Sequence, residues 1–174
     1  RHMHAINPDL TINCYPLRLN KDNIQEIIAD YDIIADGTDN FETRFLINDA
    51  CYFAKKTLVA AAILRFDGQL STFKAHEEGE DKACYRCIFR EPPPPGQVPT
   101  CAEAGVFGAI CGTMGALQAT EVLKEILNIG TSMSGRLMIY DALSFEFRNV
   151  KVKRDKGCPL CGHEPTITDL SPHR

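Results

Sequence analysis

Two Cys-x-x-Cys pairs constrain this chain more than any other feature: Cys84-Tyr85-Arg86-Cys87 in its middle and Cys158-Pro159-Leu160-Cys161 near its end. Two residues between thiolates let both sulfurs reach one tetrahedral ion. Two such pairs complete a closed four-sulfur site of the kind zinc takes. Gly157 and Gly162 flank the second pair and free the turn that aims its sulfurs. The interval between the pairs exceeds that of a compact zinc ribbon, so the fold has to close it. Two other readings stay open on spacing alone: a redox-active Cys-x-x-Cys, or two pairs that never meet.

Compartment decides whether disulfides compete. The start, RHMHAINPDL, is neither a signal peptide nor an apolar anchor, and the longest uncharged apolar run, Ala104 to Leu117, is too short to span a bilayer. The expectation is a cytoplasmic protein without membrane contact, whose thiols stay reduced. A net charge of -4 with no Lys/Arg cluster argues against a nucleic-acid partner. A length of 174 residues suits a single domain, 1–174, with a core of its own. Cys14, Cys51 and Cys111 sit in apolar or helical context and are expected as small buried hydrophobes.

Cys101 is different. It follows Pro92-Pro93-Pro94-Pro95-Gly96-Gln97-Val98-Pro99-Thr100, which can be neither helix nor central strand. A cysteine delivered on such a loop, just before a helix starting near Ala102 or Glu103, is partly exposed and gains thiolate character from the helix dipole. That makes it a candidate nucleophile, against the reading of an inert loop thiol.

Periodicity supplies the scaffold. Leu10 to Cys14 alternates like a strand, and Asp22 to Ala29 carries Ile24, Ile27 and Ile28 at helical spacing. Tyr31 to Asp36 reads as a short strand, Phe41 to Ala54 as a helix and Thr57 to Leu64 as a buried strand. Asp67-Gly68-Gln69 is expected as a turn before a strand at Leu70 to Phe73, with His76 to Lys82 as a solvated loop. Alternating strands and helices predict an α/β fold, a parallel sheet with helices on its faces. A long helix from Gly105 to Ile129 follows. Its glycines at 105, 108, 112 and 115 imply close packing against another backbone, and Val122, Leu123, Ile126 and Leu127 form an apolar stripe before Gly130 ends it. Arg136 to Asp141 and Ser144 to Val150 read as an antiparallel strand pair, and the tail from His163 to Arg174 as irregular.

In an open parallel sheet ligands bind beyond the carboxyl ends of the strands, where Asp36-Gly37-Thr38-Asp39-Asn40 falls. A carboxylate there suits Mg²⁺ shared with substrate phosphates. The competing reading makes Asp39 or Asn40 a helix cap.

DGTDNFETR, AAAILRFDGQLSTF, CYRC, PTCAEAGVFG, GALQATEVLKEIL, YDALSFEFR and CPLCG occur in that order. Together they resemble the ThiF/MoeB/HesA family, relatives of the ubiquitin-activating enzymes, from about Ile6 to Gly162. The resemblance implies a Rossmann-like sheet with helices on both faces, partly missing, plus the C-terminal antiparallel strand pair and a four-cysteine zinc site. It implies a homodimeric adenylyltransferase that uses ATP and Mg²⁺ to activate the C-terminal glycine of a ubiquitin-like sulfur-carrier protein. By motif, Asp39 and Asn40 match the nucleotide and Mg²⁺ site, and Cys84, Cys87, Cys158 and Cys161 the structural Zn²⁺ site. Cys101 matches the crossover-loop cysteine that takes the carrier as a thioester or persulfide-linked species in several members. Arg65 and Arg90 are candidates for meeting acidic groups on the carrier.

Members begin with a Gly-rich strand-turn-helix that cradles the ATP phosphates. No G-x-G-x-x-G occurs in this chain, nor do the upstream Arg and Lys that neutralise those phosphates. The expectation is therefore the C-terminal part of an adenylyltransferase domain, inactive by itself. Two further functions stay open: a non-catalytic zinc-braced binding module, and a thiol-disulfide or metal-transfer protein.

Overall fold

The computed structural model describes residues 2–94, 96–99 and 101–173, without the side chain of Ala102. Pro95, Thr100 and Arg174 of the expected loop and tail lie outside the described residues. The elements are α1 (His2–Ile6), α2 (Ile24–Ala29), β1 (Ile33–Asp36), α3 (Phe41–Phe53), β2 (Thr57–Leu64), β3 (Asp67–Phe73), α4 (Cys101–Ala104), α5 (Gly108–Leu127), β4 (Arg136–Asp141) and β5 (Glu146–Lys151).

Five strands form one sheet in the order β1-β2-β3-β4-β5. Only β1 and β2 run parallel, joined through α3, and the other pairs are antiparallel. The expected parallel sheet is thus mixed. The cause is the two-residue connection Arg65-Phe66, which lets the chain only turn back on itself. That turn sits earlier than expected, with Arg65 at φ 53°. Gly68 lies inside β3, where a Cβ would overlap Sδ of Met114, so it marks the close approach of α5 and no turn. Leu10 to Cys14 forms no strand. An extended segment with no neighbour to take its hydrogen bonds gains nothing from strand geometry.

β2 separates two cores. Leu58 and Ala60 point toward α2 and α3 and pack with Ile24, Ile28, Phe45, Leu46 and Phe73. Val59 and Ala61 point to the other face, against Ile110 and Met114 of α5 with Leu70, Met138 and Tyr140. Helices therefore cover both faces, and a strand covered on both faces is apolar throughout, as Thr57 to Leu64 nearly is.

The long helix departs from expectation at both ends. Gly105 at φ 72° breaks it from α4, and Asn128 at φ 50° is the left-handed residue that stops it, ahead of Gly130. Nothing lies within 4 Å of a Cβ built at Gly108, Gly112 or Gly115, so the expected close backbone contact is not made within the described residues. Of the expected stripe only Val122 packs; Leu123, Ile126 and Leu127 are exposed. Cys14 and Cys111 are exposed as well, correcting their assignment to the core. Cys51 is buried, which pushes its thiol up to about 12, with help from the negative charge of Asp36.

A polar clamp joins α3 to the first cysteine pair. Arg86 donates from Nε and Nη2 to the Asp49 carboxylate at 2.8 and 2.7 Å, and its guanidinium lies 4.6 Å over the Phe45 ring. His173 Nε2, from the tail, sits 2.7 Å from Asp49 Oδ2, and Asn48 accepts from Tyr85 N. Burial drives the Asp49 pKa up, but the His173 and Arg86 hydrogen bonds outweigh it and hold the carboxyl below its ordinary range. A carboxyl lowered in the folded state stabilises above its unfolded pKa and loses that contribution as pH falls through the folded value. Asp49→Ala leaves Arg86 buried without its anion and should cost about 3–5 kcal/mol in urea denaturation at neutral pH. The gap from wild type should narrow in acid below about pH 4; a gap that stays constant there would remove the clamp from the account.

Candidate functional site

The two cysteine pairs meet. Cys84 is the residue before a single 3-10 turn, Tyr85–Cys87, and Cys158 to Gly162 forms a tight turn in which Gly162 N donates to Cys158 O. A Cβ on Gly162 would lie 2.5 Å from that same oxygen, so the turn admits only glycine. The sulfur–sulfur distances are 3.8 Å for Cys84–Cys87, 3.5 Å for Cys84–Cys158, 3.4 Å for Cys87–Cys161 and 3.4 Å for Cys84–Cys161. All four atoms lie within 4.8 Å of one another. Tetrahedral bonds of about 2.3 Å place sulfurs about 3.8 Å apart, so the cluster fits a bound dication. Asp155 N donates to Cys87 Sγ at 3.4 Å, the kind of outer hydrogen bond that steadies a thiolate ligand. Contact with Cys158 raises the Cys84 and Cys161 thiols, while contact with Cys161 lowers Cys158: four sulfurs this close cannot act independently. Arg90 is paired with Asp155 at 2.6 Å, bracing the two cysteine turns from outside.

The second constellation lies at the carboxyl ends of β1 and β2. Asn40, and not Asp39, caps α3, its Oδ1 accepting from Thr43 N at 2.8 Å. Asp39 is left exposed with its carboxylate free of that task. Beside it a cavity of about 220 Å³ is lined by Asp39, Asn40, Phe41 and Arg44 from the α3 side, Ala62 to Leu64 of β2, and Val98, Pro99 and Cys101. A neighbouring cavity of about 380 Å³ shares Asp39, Arg44, Ile63 and Cys101 and extends along α5 past Cys111, Met114 and Gln118. The two residues expected on separate motifs, Asp39 and Cys101, therefore border the same two spaces. Cys101 is half-buried, with Sγ 3.7 Å from the Ile63 carbonyl. It opens the four-residue α4, whereas the long helix begins only at Gly108.

Sequence reasoning missed Arg44. It is buried, 3.4 Å from the Asp36 carboxylate, and its Nη2 donates to the Thr38 carbonyl. Asp36 also accepts from Thr38 N at 2.8 Å, and Gln118 from α5 donates to the carbonyls of Asp36 and Val59. These bonds fix the 36–39 turn against both helices. The signal was present in the sequence: Arg44 interrupts the inward face of α3 directly before Phe45 and Leu46. The hydroxyl of Thr38 is a buried oxygen with no partner among the described residues. No described helix is long and apolar enough to cross a membrane.

Comparison with known proteins bears on the family and the fold. The ThiF family model matches residues 1–160. The chain is 47% identical over 171 residues to the sulfur carrier protein adenylyltransferase of Thermus thermophilus, covering 98% of this chain and 63% of that protein. It is 42% identical to the SAMP-activating enzyme E1 of Haloferax volcanii, covering 92% of this chain and 57% of the relative. With the adenylyltransferase and sulfurtransferase MOCS3 of Drosophila virilis it shares 43% identity, over 95% of this chain and 36% of the relative. It thus spans less than two thirds of each relative's length. Among solved structures, E. coli MccB superposes with a TM-score of 0.76 at 15% identity, covering 94% of this chain and 48% of that one, a likeness of fold. With the motif order of the sequence, the paired cysteine turns and the shared cavity all pointing the same way, the chain belongs to the ThiF family.

Proposed function

We propose that the protein, at the length of its relatives, is an adenylyltransferase that activates the C-terminal glycine of a ubiquitin-like sulfur-carrier protein. The observation that carries this is the convergence of Asp39, Arg44 and Cys101 on one cavity at the carboxyl ends of β1 and β2. Similarity to the Thermus thermophilus enzyme supports the choice of substrate class. The described residues supply a carboxylate, a buried guanidinium and a thiol, and no phosphate cradle, so this stretch by itself is not expected to turn over. The exposed glycine face of α5 is our candidate for part of a homodimer contact.

The carrier's carboxylate oxygen attacks the α-phosphorus of ATP, and pyrophosphate leaves with the electrons of the broken P–O bond. The reaction crowds negative charge, and Mg²⁺ held by Asp39 would supply the offsetting charge. Arg44 anchors the turn that presents Asp39, through Asp36 and Thr38. Cys101 then attacks the acyl-adenylate carbonyl as a thiolate; AMP leaves and a thioester forms. We assign the four-cysteine cluster to a structural Zn²⁺, away from this chemistry.

Cys101→Ala separates the two stages. Adenylation precedes any thiol, so carrier-dependent pyrophosphate release should persist within about two-fold, while sulfur transfer to the carrier fails. Brief iodoacetamide treatment of the zinc-loaded protein should label Cys101 readily. Transfer that continues in the Cys101→Ala variant would return Cys101 to an inert loop thiol.

A further inference from the structure

The stretch that follows the second cysteine turn forms no helix or strand, yet it is tied down at three points. Thr166 N and Ile167 N both donate to Pro159 O, and Leu170 is buried in the core cluster that holds Phe45 and Tyr85. The third tie is His173, whose Nε2 lies 2.7 Å from Asp49 Oδ2. Asp49 is held as a carboxylate and can only accept, so that ring nitrogen carries the proton.

The third tie reaches beyond the tail. Asp49 is fully buried and accepts from Arg86 Nε and Nη2, and also from Asn48 Nδ2 at 2.9 Å. The remaining Arg86 nitrogen, Nη1, donates to the Arg90 carbonyl at 3.1 Å. Hydrogen bonds therefore run from His173 through Asp49 and Arg86 to the backbone just ahead of the prolines that lead to Cys101.

The stretch from Tyr85 to Arg90 is a wall with a cavity on each side. On one side Arg86, Pro92, Ile167, Pro172 and His173 border a space of about 780 Å³. On the other, Tyr85 and Phe89, their rings 4.9 Å apart, border the cavity of about 220 Å³ that Cys101 also lines. Phe89 N donates to Tyr85 O, so this wall is a single turn of chain and its two faces shift together. His173 bears on one face, and the thiol lies beyond the other.

We infer that His173 is a positioning residue for Cys101: through Asp49 and Arg86 it holds the wall formed by Tyr85 to Arg90, and with it the setting of the thiol. The use of that thiol in catalysis rests on the adenylyltransferase reading; its setting does not. Replacing His173 leaves a buried carboxylate one donor short, and a polar network that loses a member is weakened along its length.

The test uses His173→Ala and His173→Gln, made in the zinc-loaded protein at its relatives' length; glutamine keeps an N–H donor. Iodoacetamide labelling of Cys101 and of the buried Cys51 is followed by mass spectrometry. Pyrophosphate exchange and thioester formation are measured beside it with a purified ubiquitin-like sulfur carrier. In His173→Ala the Cys101 labelling rate should rise about three-fold or more, the scale of one lost hydrogen bond, and thioester formation should slow by a similar factor. Cys51 labelling and pyrophosphate exchange should stay at wild-type rates, and His173→Gln should bring both Cys101 readings back toward wild type. An unchanged Cys101 labelling rate overturns the inference and leaves the proposed function standing. A rise shared by Cys51 shows general loosening and overturns it too, as does a His173→Gln variant that behaves like His173→Ala. Absence of exchange by the wild type with every carrier tried overturns the proposed function, and the labelling rates then decide the inference by themselves.

Discussion

Removing the proposed zinc should unfold this protein. The four sulfurs join the middle of the chain to its end, and the small apolar cluster around them, with Ala75, Leu160 and the partly buried Tyr52 and Ile167, is too small to hold that junction alone. Zinc ligation in small modules is worth on the order of 10 kcal/mol, comparable to the roughly 5–15 kcal/mol total stability of a domain. Cys158→Ser, which removes a buried ligand, should therefore leave little folded protein at physiological temperature by circular dichroism, and exhaustive chelation should do the same to the wild type. Elemental analysis of freshly purified protein should give one zinc per chain. Thiol titration before chelation should leave Cys84, Cys87, Cys158 and Cys161 unreactive, and chelation should release all four. Four freely cycling thiols at those positions would instead support a redox or metal-transfer protein, and protein free of metal that melts normally would remove the zinc assignment.

Asp39→Ala, in the protein at its relatives' length, should abolish carrier-dependent pyrophosphate exchange and leave the melting temperature unchanged. The carboxylate is exposed, borders both cavities and makes no cap, so its loss removes charge where phosphates need it and no core contact. Asn40→Ala provides the contrast. It deletes the acceptor for Thr43 N and should cost about 1 kcal/mol of stability. Exchange that survives in Asp39→Ala would take the Mg²⁺ role from this residue. A melting temperature that falls as far as in Asn40→Ala would make it structural.

Elements whose signals are local were legible in the sequence. Phe41 to Phe53 carries its cap at Asn40 and its apolar face within one segment, and Thr57 to Leu64 is a strand bounded by polar residues, so both lie where periodicity put them. What sequence could not give was set by partners. The direction of β3 follows from a two-residue turn whose first residue, Arg65, takes a left-handed conformation more usual for glycine. Leu10 to Cys14 alternates as a strand would, but has no strand beside it. Cys111 and the glycines of α5 look like core by composition, and in the described chain they face open space. The cysteine site was legible because two-residue spacing encodes a chelate directly, while Arg44 was not, since its role depends on Asp36 and Thr38 meeting it in space. The convergence of Asp39 and Cys101 arises because the chain passes from the end of β1 to the loop before α4 across the end of β2.

The proposed adenylation of a carrier's terminal carboxylate at this cavity would precede every later transfer, and intact mass spectrometry tests it most directly. A purified ubiquitin-like sulfur carrier is incubated with MgATP and the Cys101→Ala protein at its relatives' length, then quenched before hydrolysis. The account predicts a carrier population heavier by one adenylyl group, absent when the carrier's last glycine is deleted and absent with Asp39→Ala. A carrier of unchanged mass, with no pyrophosphate released, would contradict it.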